Sequence, residues 1–342
     1  MAGSGILLLP AIDSSYSMAQ KSKIKKIGVL TSGGDGPGMN AAVRGVVRSA
    51  LSYGLKVEGI MRGYQGLIDN DLVDMGPRSV SGIIGRGGTI LKTARSPEFR
   101  SEKGQKKAVA TLKRHKIDAL VVIGGDGSYL GASELYHKWG VPTIGLPGTI
   151  DNDLHGTDQT IGCNTAINTA LDAIDKIRDT AHSMERIFIV EVMGNRSGYI
   201  AMEVALGSGA EDVVVPEFKP DYKAMCDRMI KGAKRGKVSW IIVVSEGVVK
   251  ANALADTITN MTGLETRSVV LGHVQRGGNP CGMDRVLSTR FGVAAVEELL
   301  KGNYGKAIGV IQDQINIIPL AEARKRSFDK FKEYYRLISM LR

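Results

Sequence analysis

The chain has 342 residues, 43% apolar and 23% charged, which excludes a disordered or fibrous protein and leaves room for about two domains. Glycine is abundant at 43 residues, and the formal net charge is +10. That charge sits mostly at the ends, +3 over residues 1–26 and +4 over 321–342, so neither nucleic acid nor a membrane surface is expected as a partner.

Residues 1–20 carry Ile6-Leu7-Leu8-Leu9-Pro10 with no basic stretch before it. They read as a disordered or appended extension rather than a secretory signal. From Ile27 onward, short β-branched runs alternate with helical patterns. The order is strand 27–31, helix 39–53, strand 56–60, helix 103–114, strands 119–123 and 143–146, and helix 165–181. It continues with strands 187–192 and 213–215, helix 222–235, strand 240–244, helices 251–262 and 284–300, and strand 308–311. Continuous apolar runs fit strands buried on both faces. Their alternation with helices predicts an α/β fold: two Rossmann-like three-layer α/β/α domains with mostly parallel sheets and the active site in the cleft between them. The chain is expected to cross over near 162 and return near 275. Cys163, Cys226 and Cys281 are too scattered for a disulfide framework or a CxxC site. They suggest free, mostly buried thiols in the reducing cytoplasm. No apolar run reaches the ~18–20 residues of a membrane span.

Glycine clusters follow several strands, where open α/β sheets bind ligands. Thr31-Ser32-Gly33-Gly34-Asp35-Gly36-Pro37-Gly38-Met39-Asn40 can aim backbone N–H groups and a helix N-terminus at phosphate. It can equally be a tight strand–helix turn. Gly36-x-Gly38-x-x-Ala41 nominally matches the dinucleotide fingerprint, but the glycines ahead of it do not belong to that pattern. No Walker A sequence occurs. In Gly124-Gly125-Asp126-Gly127-Ser128 the glycines allow close phosphate approach, and Asp126 offers Mg²⁺ a hard oxygen. The plain alternative is that Asp126 or Ser128 caps a helix. In Pro147-Gly148-Thr149-Ile150-Asp151-Asn152-Asp153, two carboxylates spaced by two suit acid–base or metal work, and an extended backbone would put them on one side. A solvated turn is the alternative. Arginines that could grip phosphate are Arg86 in Gly85-Arg86-Gly87-Gly88-Thr89, Arg95, Arg100, Arg186, Arg267, and Arg276 in Gly272-His273-Val274-Gln275-Arg276-Gly277-Gly278. Any one of them could be a surface charge, and His273 alone could be structural.

Together Thr31–Asn40, Gly124–Ser128, Pro147–Asp153, Val192-Met193-Gly194 and Leu271–Gly278 resemble the bacterial ATP-dependent 6-phosphofructokinases, in the family order, from about residue 24 to the C-terminus. The resemblance implies transfer of the ATP γ-phosphoryl to O1 of fructose 6-phosphate. It makes 21–162 plus 275–325 the ATP-binding domain and 163–274 plus 326–342 the fructose 6-phosphate-binding domain. It implies Asp151 as base, Thr149 at the transferred phosphate, and Asp126 organising Mg²⁺ with Asp153 nearby. Gly34, Arg95, Ser96, Gly125, Gly127 and Ser128 would face ATP, with Arg95 bridging its phosphates as a third catalytic residue beside Asp151 and Thr149. Met193, Gly194, Arg196, Glu246, His273 and Arg276 would face the sugar. Arg186 and Arg267 would reach the 6-phosphate from a neighbouring copy, in a homotetramer. Relatives using pyrophosphate resemble GGDDS and PKTID at two loops, where this chain has Gly127 and Gly148, so ATP is expected as donor. Arg44, Arg48, Arg178, Glu211, Arg235 and Lys237 match the family's effector pocket for ADP or phosphoenolpyruvate. The chain departs from the pattern at Asn195, Pro77, Ser239 and Ser96. A nicotinamide-dependent oxidoreductase would rest on Gly36–Ala41 alone and leaves Asp126, Asp151 and the arginines without a role. A non-catalytic sensor of the same fold would not need Asp151.

Overall fold

The computed structural model describes residues 22–324 and 329–341; the expectations for residues 1–20 lie outside it. The chain folds into two α/β units, each built on its own sheet. In chain order, the larger sheet contains β1 (Lys26–Ser32), β2 (Lys56–Ile60), β3 (Leu72–Asp74), β4 (Ala119–Gly124) and β5 (Thr143–Pro147). The smaller sheet contains β6 (Ile187–Val192), β7 (Asp212–Val214), β8 (Trp240–Ser245) and β9 (Thr266–Val270). The chain then returns to the larger sheet with β10 (Lys306–Ile311) and β11 (Gln314–Pro319). The strand orders are β11-β10-β5-β4-β1-β2-β3 and β7-β8-β6-β9. Pairing is parallel except at the edges β3 and β11.

The helices are α1 (Met39–Ser52), α2 (Tyr64–Asp69), α3 (Glu102–Arg114), α4 (Asp126–Trp139), α5 (Cys163–Ser183) and α6 (Tyr199–Ser208). They continue as α7 (Tyr222–Lys234), α8 (Ala251–Thr262), α9 (Gly282–Lys301) and α10 (Asp329–Leu341). Both sheets are covered on both faces. In β4, Ala119, Val121 and Ile123 pack toward α1 and α9, while Leu120 and Val122 pack toward α2, α3 and α4. In β8, Ile241 and Val243 face α5, α6 and α10, while Ile242 and Val244 face α7 and α8. This two-residue alternation explains why the strands read as unbroken apolar runs.

The expected strands and helices are present, with ends shifted by one or two residues. Beyond the expected elements the fold adds α2, α4, α6, α10, β3, β9 and β11. All three cysteines are unbridged, with Cys163 and Cys226 buried. Among the described residues, no helix is long and apolar enough to cross a membrane.

Candidate active site

In the larger sheet β2 lies on one side of β1 and β4 on the other, all three parallel, so the direction in which strands are added to the sheet reverses between β1 and β4. That switch point is where such sheets open a crevice beyond their carboxyl ends. Both glycine clusters land there, because Ser32 of β1 is registered against Gly124 of β4. Ser128 Oγ ties the two loops together by donating to Ser32 O at 3.1 Å. Asp126 is the first residue of α4 and makes no cap bond; the cap position is Gly125. Its carboxylate instead meets Arg324 Nε at 2.5 Å.

The loop after β5 comes alongside. A Cβ placed on Gly125 would lie 3.5 Å from Thr149 Cβ, so the two loops touch. Thr149 Oγ1 accepts from Asp151 N at 3.2 Å, and Asp151 is 8% exposed. Asn152 has φ 45, so this segment is not extended. The alternation argument for placing Asp151 and Asp153 on one side therefore fails; the left-handed residue between them redirects the chain. Gly148 has a packing reason independent of any donor. A Cβ there would press on Ile123 Cγ2 at 2.9 Å and on Gly124 N and Met39 Cε at 3.0 Å. At Gly127 a Cβ would meet nothing within 4 Å.

Arg95 is exposed on the segment before the short turn Glu98–Arg100. Ser96 Oγ donates to Gln65 Oε1 at 2.8 Å. Phe99 stacks on Tyr64 with centroids 4.1 Å apart, and Tyr64 Oη donates to Ser128 O at 2.6 Å. That chain of contacts fixes the Arg95 segment to the first turn of α4. Tyr64 carried no role in the sequence reading. Neither did buried Asn40, whose Nδ2 donates to Arg86 O and Gly87 O, both at 3.1 Å, while Oδ1 accepts from Ile90 N at 2.7 Å. Asn40 thereby pins the Gly85–Thr89 turn to the start of α1.

The smaller sheet supplies the opposite wall from the carboxyl ends of β6, β8 and β9. Met193 and Gly194 follow β6 and are buried. Asn195 N donates to Glu246 Oε1 at 3.1 Å, and Glu246 N to Val192 O at 3.0 Å, so Glu246 braces this loop. Asn195 and Arg196 are exposed beyond it. His273 is exposed on the 3-10 turn Gly272–Gln275. Arg276 crosses to the other wall: Nη1 donates to Asp35 O at 3.1 Å, and the guanidinium covers Gly34 so closely that a Cβ there would lie 2.9 Å from Cζ. The sequence placed Arg276 on the sugar side; the fold also sets it against the first glycine loop.

Behind the walls, Asp284 of α9 accepts from Gly162 N at 3.0 Å and from Thr165 N at 2.8 Å, holding the start of α5. Burial pushes its carboxyl above the usual range, and the donors from Thr165 and Gly162 offset this only in part.

Two sets of expected site residues are spread over the fold. Arg186 precedes β6 and Arg267 is registered against Phe188, near the amino ends of these strands. Along a strand, that puts Arg186 roughly 20 Å from Met193. Both arginines grip Glu265: Arg186 Nε is 3.0 Å from Oε2, and Arg267 pairs with Oε1. Desolvation raises the Glu265 carboxyl, but the two guanidiniums outweigh it and hold it below the ordinary value. Likewise Arg44 and Arg48 lie on α1 of the larger unit, while the other effector residues lie in the smaller one. There Arg178 Nη2 donates to Ser208 O at 2.6 Å, and Lys237 Nζ sits 3.0 Å from Glu211 Oε1. Arg235 is exposed at the end of α7.

The phosphofructokinase family profile matches residues 26–299. The ATP-dependent 6-phosphofructokinase of Clostridium acetobutylicum is 52% identical over 320 residues, covering 93% of this chain and 99% of that protein. ATP-dependent 6-phosphofructokinase 1 of Thermus thermophilus is 51% identical with the same coverage. Among solved structures, phosphofructokinase from Saccharomyces cerevisiae matches at TM-score 0.84 and 36% identity over 93% of this chain. This chain spans 48% of the yeast chain's length. The pyrophosphate-dependent phosphofructokinase of Nitrosospira multiformis, 21% identical at TM-score 0.81 and 92% coverage of both chains, shares the fold.

Proposed function

The chain belongs to the phosphofructokinase family, in its bacterial ATP-dependent branch, and from that premise we propose how its residues transfer the γ-phosphoryl of ATP to O1 of fructose 6-phosphate. One observation supports the reading above the others. The loops after β1, β4 and β5 meet around Asp151, and Arg276 joins them to the wall carrying Met193, Glu246 and His273. Residues 21–162 plus 275–325 form the nucleotide domain, and 163–274 plus 326–342 the sugar domain. Gly34, Gly125, Gly127 and Ser128 line the phosphate crevice, with Arg95 and Ser96 at its edge. Asp151 accepts the O1 proton as the sugar oxygen attacks, and Thr149 hydrogen-bonds the phosphoryl group in transit. Arg276 and backbone N–H groups offset charge that grows on the transferring oxygens. Met193, Gly194, Glu246 and His273 orient the sugar, with Arg196 and Asp153 at the margins.

Mg²⁺ fits this donor set. It retains waters and takes one or two carboxylates together with substrate phosphates, and among the described residues no cluster of three or more His, Cys, Asp or Glu competes for it. Asp126 would hold it, and when bound it would supply neutralisation of phosphate charge. In this structure Arg324 occupies that carboxylate. Arg324→Gln is therefore expected to lower the Mg²⁺ concentration that half-supports ATP binding, by roughly two- to fivefold. Calorimetric titration of ATP at stepped Mg²⁺ reads this directly, and an unchanged or higher requirement contradicts the competition.

The separation of Arg186 and Arg267 from Met193 supports a site finished by a neighbouring copy, hence a homotetramer. The split of Arg44 and Arg48 from Arg178, Glu211, Arg235 and Lys237 supports an effector pocket for ADP or phosphoenolpyruvate that also forms between copies. Unbridged cysteines suit the cytoplasm. A coupled assay with ATP and fructose 6-phosphate tests the reaction. Replacing ATP by pyrophosphate should abolish turnover; faster turnover with pyrophosphate would reverse the donor assignment.

A further inference from the structure

Gln275 lies between the two proposed sugar-facing residues His273 and Arg276, yet it is fully buried. The 3-10 turn rotates successive side chains by about a third of a circle, so one face can enter the protein while its neighbours face out. His273 and Val274 are exposed, and Gln275 points inward. Its Oε1 accepts from Met193 N at 2.8 Å, at the point where β6 delivers Met193 and Gly194. Its Nε2 donates to Ala166 O in the first turns of α5 at 3.4 Å. A single buried amide therefore touches the Met193 loop, the start of α5 and the turn that carries His273 and Arg276. The neighbouring backbone bond Leu271 N to Glu191 O, 3.0 Å, aligns the same turn with β6.

We infer that Gln275 is a positioning residue for the sugar: it sets the distance and angle between the Met193–Gly194 backbone and the His273–Arg276 turn. It does not touch substrate. The inference rests on the sugar-side reading above, and it predicts a larger effect on the sugar than on ATP: both Gln275 hydrogen bonds go to the Met193 loop and to α5, whereas the turn reaches the ATP-facing loop through the long Arg276 side chain, which has its own anchor on Asp35 O.

Gln275→Leu keeps the apolar bulk and removes both hydrogen bonds. The KM for fructose 6-phosphate should rise about tenfold, with the KM for ATP within about twofold of the parent. Equilibrium titration of fructose 6-phosphate should show the same loss. Gln275→Glu serves as the second variant, because its protonated carboxyl presents the same acceptor and donor. Relative to the parent at each pH, its sugar affinity should recover as pH falls. A rise in both KM values alike, or a lowered melting temperature with both KM values unchanged, shows a merely structural amide and overturns the inference. Failure of the parent itself to bind or turn over fructose 6-phosphate would instead overturn the sugar-side reading.

Discussion

Asp151→Asn is expected to lower kcat by about a thousandfold, the range spanned by removal of a well-placed general base. Three features carry that expectation. Asp151 is nearly buried, so its carboxylate is not free to sample solvent. Its backbone N–H is anchored on Thr149 Oγ1, which fixes it relative to the loop beside Gly125. Asparagine has the same shape but cannot take the proton of an attacking hydroxyl. Binding of fructose 6-phosphate, measured without nucleotide, should stay within a few-fold of the parent. Asp153→Asn should cost much less, because the left-handed Asn152 turns the chain between the two carboxylates. Turnover of Asp151→Asn within tenfold of the parent would remove Asp151 from the base role.

The second large effect concerns Arg186 and Arg267. Alanine at either position should raise the KM for fructose 6-phosphate on the order of a hundredfold, as expected for losing a charge-assisted bond to phosphate. The ATP KM should barely move. Within its own chain Arg186 lies far from Met193, so an effect of its loss on sugar binding is expected to come through a neighbour's site. That has a sharper consequence. Inactive Asp151→Asn subunits refolded with Arg186→Ala subunits should regain activity at low substrate. Each mixed pair contains one site with both native residues, so random mixing restores about a quarter of the sites. Activity no greater than the sum of the two parents would show that each site is completed within one chain.

Much of this was legible in the residues. Strands such as β4 and β8 announce themselves because both faces are buried, which leaves unbroken β-branched runs. Loops at their carboxyl ends were marked by glycine. Helix α4 was missed because Gly127 and Gly131 interrupt its pattern. Gly131 is required where the Tyr64 ring lies 2.8 Å from a would-be Cβ, a contact set by a distant segment. Helix α6 is almost uniformly apolar and so shows no face to the eye. Strand β9 is an edge that begins Thr-Arg-Ser and has no fully buried residue, so it lacks the core signature. The supporting residues Asn40, Tyr64, Gln275, Asp284 and Arg324 stayed silent for a common reason. Their partners are backbone atoms or side chains tens to hundreds of residues away, and nothing in local spacing encodes those meetings. Gln275 carried the best clue, a polar side chain fixed between two outward-facing residues on a short turn.

Gly148 bears on how such an enzyme could change its phosphoryl donor over generations. A lysine there cannot simply be tried and kept, because its Cβ would meet the Gly124 amide and the Met39 methyl before the ammonium reached any ligand. The strand end and the first residue of α1 would have to yield first. Donor preference is therefore guarded by core packing as well as by the shape of the crevice. The order of substitutions matters: a smaller residue at Met39 relieves one of the three contacts, while Ile123 and the Gly124 backbone must still shift, so the lysine arriving alone carries a packing cost before any new chemistry is gained.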